Sequence, residues 1–158
     1  DEAYIEVAKR VLTQNPLEGA EINRKDLTTS TANGEFDPDG LKKLRGGGKD
    51  HHDGVDLGAI EGTQVKVAGD GTVFFVKTIN GYGKVVYVKH ASGVITRYSH
   101  LSSQDVIKGE KVKAGDVIGN VGRTGNVPKT AKSHLHYEIL VNWKRIDPAK
   151  VHDYKVEN

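Results

Sequence analysis

The sequence predicts a mainly β protein, an antiparallel sheet core preceded by one short helix. Three observations lead there. From residue 63 onward, short β-branched runs alternate with glycine-containing turns. No long stretch of helical periodicity interrupts those runs, which argues against a βαβ arrangement. A clear 3.6-residue pattern occurs instead near the start of the chain, before the glycine-rich texture begins.

That early pattern spans residues 3–14, where Tyr4, Ile5, Ala8, Val11 and Leu12 fall at helical spacing with charges between them, and Asn15-Pro16 ends it. The apolar stripe needs a surface to cover, so the helix is expected to dock on the main domain. Residues 17–50 are polar, with turn signals at Asn33-Gly34 and Asp37-Pro38-Asp39-Gly40 and a flexible Gly46-Gly47-Gly48. They predict loop with one short strand or helix. The candidate strands are 63–68, 71–78, 84–90, 94–99, 116–121 and 135–142. Turn formers such as Gly69-Asp70-Gly71, Asn80-Gly81, Ser92-Gly93, Lys108-Gly109 and Gly125-Asn126 separate them.

At 158 residues the chain is long enough for one domain with its own core and too short for two full ones. The expected division is an extension over 1–45, a domain over 46–151 and a tail over 152–158. Cysteine is absent, which excludes disulfides, thiolate zinc sites and cysteine nucleophiles together. The net charge of +2 is spread among matching acids rather than gathered into a basic run, so nucleic acid is not an expected partner. No apolar run approaches the length of a membrane span, and Asp1-Glu2-Ala3-Tyr4 does not read as a signal peptide. Without an initiator Met, a mature or trimmed form is expected; oligomeric state is not readable.

Chemistry concentrates in Lys132-Ser133-His134-Leu135-His136-Tyr137-Glu138-Ile139-Leu140. In an extended chain His134, His136 and Glu138 share one face, and Leu135, Tyr137 and Ile139 the other. Two imidazoles on one face suit a metal ion with a proton-handling group beside it, although a solvated polar face would give the same pattern. A catalytic zinc site usually has three protein ligands and a position for water. Upstream, His51-His52-Asp53-Gly54-Val55-Asp56 places His52 and Asp56 four apart. That even spacing brings both to one side of an extended segment, and also of a helix; the surrounding glycines argue against the helix.

His52-x-x-x-Asp56 followed far downstream by His134-x-His136 resembles the metal site of the lysostaphin-type (LytM-like) zinc endopeptidases, which cut the peptide part of bacterial peptidoglycan. Further motifs resemble that family in its order: Gly62-Thr63-x-Val65, Asp70-Gly71-x-Val73, Gly81-Tyr82-Gly83, Thr96-x-Tyr98-x-His100-Leu101, Gly109-x-x-Val112-x-x-Gly115-x-x-Ile118-Gly119 and Gly122-x-Thr124-Gly125. The resemblance covers roughly residues 50–150. It implies a LytM-like catalytic-domain fold with a duplicated hybrid motif and a substrate groove. It implies one Zn2+ held by His52, Asp56 and His136, with His100 and His134 handling the proton and stabilising charge, their division of labour left open. The implied partners are peptidoglycan peptides, and the implied location is extracytoplasmic, in the cell envelope or secreted. The family's usual strand before the first ligand, with a Gly-Phe-Gly-like stretch, is not recognisable here.

The alternative within the same fold is a degenerate member serving as a wall-binding or regulatory scaffold. Such proteins lack one or more of the five key side chains, and this chain has all five. Residues 112–119 also resemble the half-barrel of biotin and lipoyl carriers, but no Lys sits in the hairpin context that those carriers need. Tyr98 is expected either to lend a hydroxyl near the site or simply to pack. Glu138 reads as a solvent-facing strand residue, with orientation of a ligand histidine as the alternative. His51, His90 and His152 read as ordinary histidines, and Asp53 as facing away from His52. Asn33 or Asp37 would be the candidates for a segment shading the groove, against plain turn chemistry. Arg123, Lys129 and Lys132 read as solvated loop charges that could meet substrate carboxylates.

Overall fold

A computed structural model describes residues 2–22, 36, 53–127 and 133–156. Helix α1 (Glu2–Val11) is followed by β1 (Glu21–Ile22) and then by β2 (Val55–Gly58), β3 (Gln64–Lys66), β4 (Gly71–Ile79), β5 (Gly83–Lys89) and β6 (Val94–Gln104). The chain continues through β7 (Lys111–Val112), β8 (Val117–Val121), β9 (His134–Val141), β10 (Lys144–Ile146) and β11 (Lys155–Val156). All six candidate strands are present with ends shifted by a few residues. The short β1, β2, β7, β10 and β11 were not among them.

The strands form one network in the order β11-β1-β2-β9-β6-β5-β4-β7, with β10 beside β9 and β8 bridging β6 to β3. The β1–β11 pair is parallel and the other pairs are antiparallel. Alternation divides the central strands into two faces. Val55, Leu57, Val86, Val88, Tyr98, Leu135, Tyr137 and Ile139 point into the core and are essentially solvent-free. Asp56, Arg97, Ser99, His136 and Glu138 occupy the other face, because β2, β6 and β9 pair in a register that sets Asp56 and Ser99 on either side of His136.

Helix α1 docks as its stripe predicts: Ile5 and Ala8, with Leu12 just past its end, are buried in the main core. Gln14 N–H donates to the Ala68 carbonyl at 2.9 Å, and Lys66 N–H to the Pro16 carbonyl at 3.1 Å. The helix ends at Val11 rather than nearer residue 14, because the chain turns there to make those bonds. Tyr137 packs on Tyr98 with ring centroids 5.4 Å apart, and its hydroxyl meets His152 Nε2 at 2.9 Å. His152 is therefore packed against the core instead of trailing into solvent. No helix among the described residues is long and apolar enough to cross a membrane.

Candidate metal centre

Strand β9 is the middle of the sheet, and all eight of its residues are buried. Its neighbour β2 brings Asp56 directly opposite His136. Close approach is possible because residue 54 is glycine: a Cβ there would fall on the Tyr137 carbonyl and against Glu138 Cγ. Asp56 Oδ1 lies 3.0 Å from His136 Nδ1 and 3.8 Å from His134 Nε2. His136 Nε2 donates to Glu138 Oε2 at 2.8 Å.

His100 arrives from β6 by a route that alternation does not predict. Tyr98 and His100 should share a face, yet Tyr98 faces the core while the His100 ring stands 5.1 Å from His134 and 6.0 Å from His136. The cause is the backbone of His100, at φ +62° in the left-handed region, which turns the strand and returns the side chain to the polar face. Two bonds hold that conformation. His100 N–H donates to the Tyr82 carbonyl at 2.9 Å, and Nδ1–H donates to the Thr124 carbonyl at 2.7 Å. The Thr124 carbonyl is in place because Gly125, at φ +81°, lets the loop press against the Gly81–Gly83 backbone. His100 thus presents Nε2 to the site.

Tyr98 itself is a packing residue. Its hydroxyl accepts from Ala68 N–H at 3.0 Å and shares a 2.7 Å bond with Thr96 Oγ1, which in turn meets His90 Nε2 at 2.7 Å. The expectation for Glu138 is corrected: it is not solvent-facing but fully buried. Besides His136 it meets Arg97 Nη1 at 3.2 Å and Arg145 Nε at 3.7 Å. Arg145 also lies 3.4 Å from Asp53; the expectation that Asp53 faces away from His52 turns on a residue outside the described ones. His90 and His152 are buried structural histidines, in line with the sequence reading.

The electrostatics favour added positive charge at this spot. Burial alone would lower the His136 pKa, but hydrogen bonds to Asp56 and Glu138 and the charge of both carboxylates raise it to about 10. The His136 ring therefore stands between two carboxylates that favour its cationic form, Asp56 at Nδ1 and Glu138 at Nε2. Glu138 is held below the usual carboxylate range despite burial, through His136, Arg97 and Arg145. His100 is pushed the other way, to about 4, by burial and by the charges of His134 and His136.

The donor set fits a zinc ion. Imidazole and carboxylate without thiolate suit a borderline metal at a catalytic site. Glu138, accepting the Nε2–H bond of His136, leaves Nδ1 as the nitrogen that faces Asp56 and that would meet a metal in place of its proton, the arrangement by which outer carboxylates orient ligand histidines. His52, the remaining expected ligand, lies outside the described residues, as do His51, Asn33, Asp37, Lys129 and Lys132. Among the described residues no three His, Asp or Glu side chains form a complete cage.

Sequence reasoning missed four contributors. Tyr82 sits with its ring 5.7 Å from that of His136, and Thr124 anchors His100. Arg97 and Arg145 neutralise Glu138. Tyr82 and Thr124 carry a signal, since each adjoins glycines that the structure uses at positive φ. Arg97 carries none, because its place opposite Glu138 depends on the pairing of β6 with β9.

Residues 50–148 of the chain match the model of peptidase family M23. The chain belongs to that family. It is 41% identical over 100 residues to the DD-carboxypeptidase/endopeptidase Mpg of Neisseria meningitidis, covering 63% of this chain and 22% of that protein. It is 38% identical over 128 residues to the peptidoglycan DD-endopeptidase ShyC of Vibrio cholerae, covering 81% of this chain and 29% of that protein. Among solved structures, a zinc containing peptidase from Vibrio cholerae superposes with a TM-score of 0.71 at 28% identity, covering 92% of this chain and 41% of that one. The chain thus spans less than a third of the length of these two relatives.

Proposed function

We propose that this chain is a zinc-dependent endopeptidase that hydrolyses peptide cross-links or stem peptides of bacterial peptidoglycan in the cell envelope or outside the cell. The observation that carries the reading is the convergence of Asp56, His136, His134 and His100 on one face of the sheet, from three separate strands. His52, Asp56 and His136 would hold the ion. Bound there, zinc supplies a water acidified to a pKa of roughly 7 and a Lewis acid for the amide carbonyl.

The remaining chemistry belongs to the chain. His100, with Nδ1–H committed to the Thr124 carbonyl, offers Nε2 to the groove. His134 stands beside it and within reach of Asp56. The pair is suited to take a proton from the attacking water and return one to the leaving amine, or to steady the oxygen of the attacked carbonyl. Glu138 orients His136 and stays ionised between two guanidiniums. We assign the hydrolytic unit to residues 46–151, with residues 1–45 as a docked structural or regulatory element.

Digestion of purified cell walls of differing cross-bridge chemistry, with and without chelator, tests the reading by identifying the new amine ends. Chelator-sensitive release of peptide amines is expected. A folded, zinc-loaded protein that binds walls and releases none would instead identify a scaffold.

A further inference from the structure

Beyond the candidate centre, the same sheet face continues across two more strands. The register aligns Glu138, Arg97, Tyr87 and Phe75 in one row over β9, β6, β5 and β4. A bulge between Val73 and Phe75 inserts Phe74, so that both phenylalanine rings reach Tyr87, at centroid distances of 5.8 Å for Phe74 and 4.7 Å for Phe75. All three rings are half-buried. Each carries a cation: Lys89 Nζ is 5.6 Å from the Phe74 centroid, Lys77 Nζ 5.6 Å from Phe75, and the Arg97 guanidinium carbon 4.6 Å from Tyr87.

Arg97 is occupied with Glu138, but Lys77 and Lys89 are exposed and have no carboxylate partner among the described residues. A flexible lysine held over an aromatic face is partly pre-ordered, which lowers the entropy that an incoming anion must overcome. The lateral distance from β9 also fits a peptide. Three strand spacings of about 4.8 Å separate β9 from β4, roughly 14 Å. An extended chain covers that in about four residues at ~3.5 Å each.

We propose that Lys77 and Lys89, seated on the Phe74–Phe75–Tyr87 platform, form a carboxylate-binding subsite that selects acidic stem peptides whose side carboxylates lie a few residues from the cleaved bond. The inference rests on the peptidoglycan-peptide reading above. It makes the chain a discriminator between stem peptides with free carboxylates and those in which the carboxylates are amidated. The occupant is a peptide anion rather than a sugar because the outer faces of the rings are already taken by cations.

Two measurements on the full chain test it. Hydrolysis of a free-carboxylate muropeptide and of its amidated counterpart should differ by about tenfold in kcat/KM, the effect of roughly one charge-assisted contact. Lys77→Gln/Lys89→Gln should bring that ratio close to one, and Lys77→Arg/Lys89→Arg should restore it, with zinc content unaltered in both. Independently of catalysis, NMR titration of the metal-free protein with the free-carboxylate peptide should shift the ring signals of Phe74, Phe75 and Tyr87, and the amidated peptide should do so much less. An unchanged ratio in the glutamine variant overturns the proposal, as do ring signals that respond equally to both peptides or only to peptide-free glycan. If neither muropeptide is cut, the endopeptidase reading fails while the titration still decides whether the subsite exists.

Discussion

His100 is the residue whose role depends most on a single backbone angle. Its even spacing from Tyr98 suggests one shared face, and the left-handed φ separates them, sending one side chain to the core and the other to the centre. No spacing rule reveals such a turn, so the sequence could nominate both residues without distinguishing them. By contrast the His134, His136, Glu138 face was legible because β9 is regular. Asp56 joins it through simple antiparallel pairing. If the roles are as proposed, His136→Ala should abolish stoichiometric zinc by elemental analysis. His134→Ala and His100→Ala should keep the metal and lose about 10²- to 10⁴-fold in hydrolysis. Zinc loss in either of the latter pair would exchange ligand and catalyst. Glu138→Gln, which keeps the shape but not the charge, should weaken zinc binding by about 10- to 100-fold in competition with a chromogenic chelator. An unaltered affinity would reduce Glu138 to a purely structural partner of Arg97 and Arg145.

At the scale of elements, the long strands announced themselves through β-branched runs between glycine turns. The short ones did not, because a strand of two or three residues has no periodicity to read and exists only where a neighbour offers hydrogen bonds. Strand β1 is such a case: it is held by β2 on one side and by β11 on the other. Helix α1 was legible as an amphipathic segment, and its burial follows from Ile5, Ala8 and Leu12 meeting the core. Each large aliphatic side chain so buried contributes about 1.5–3 kcal/mol. Leu12→Ala should therefore cost roughly 2–5 kcal/mol, read from chemical denaturation. Zinc stoichiometry should persist in the folded fraction, since no proposed ligand lies in the helix. A loss below 1 kcal/mol would mean that the helix only rests on the surface.

For the molecule as a whole, acidity should act through its buried histidines, among them two that lie remote from the centre. His152 is pushed down to about 4 by burial against Tyr137, and His90 is lowered by burial although the Asp70 carbonyl and carboxylate oppose it. Their unfolded counterparts titrate near 6.5. Between about pH 6.5 and 4 the unfolded chain binds protons that the folded chain refuses, so stability falls as pH falls and levels off below the folded pKa. For His152 alone the loss is on the order of 3 kcal/mol. Urea midpoints of the metal-free protein across that window should drop, and His152→Gln should flatten the drop. A midpoint independent of pH would contradict the burial of both rings.

The pairing of Asp56 with a histidine 80 residues further along the chain has a consequence for the protein's birth. Strand β9 is the hinge between the two halves of the sheet, yet it leaves the ribosome after β2, β5 and β6. Until it slots between β2 and β6, Asp56 and His100 belong to separate, unfinished edges, and non-local pairing of this kind is intrinsically slow. Assembly of the proposed centre thus waits on the insertion of one strand that follows its neighbours in the chain.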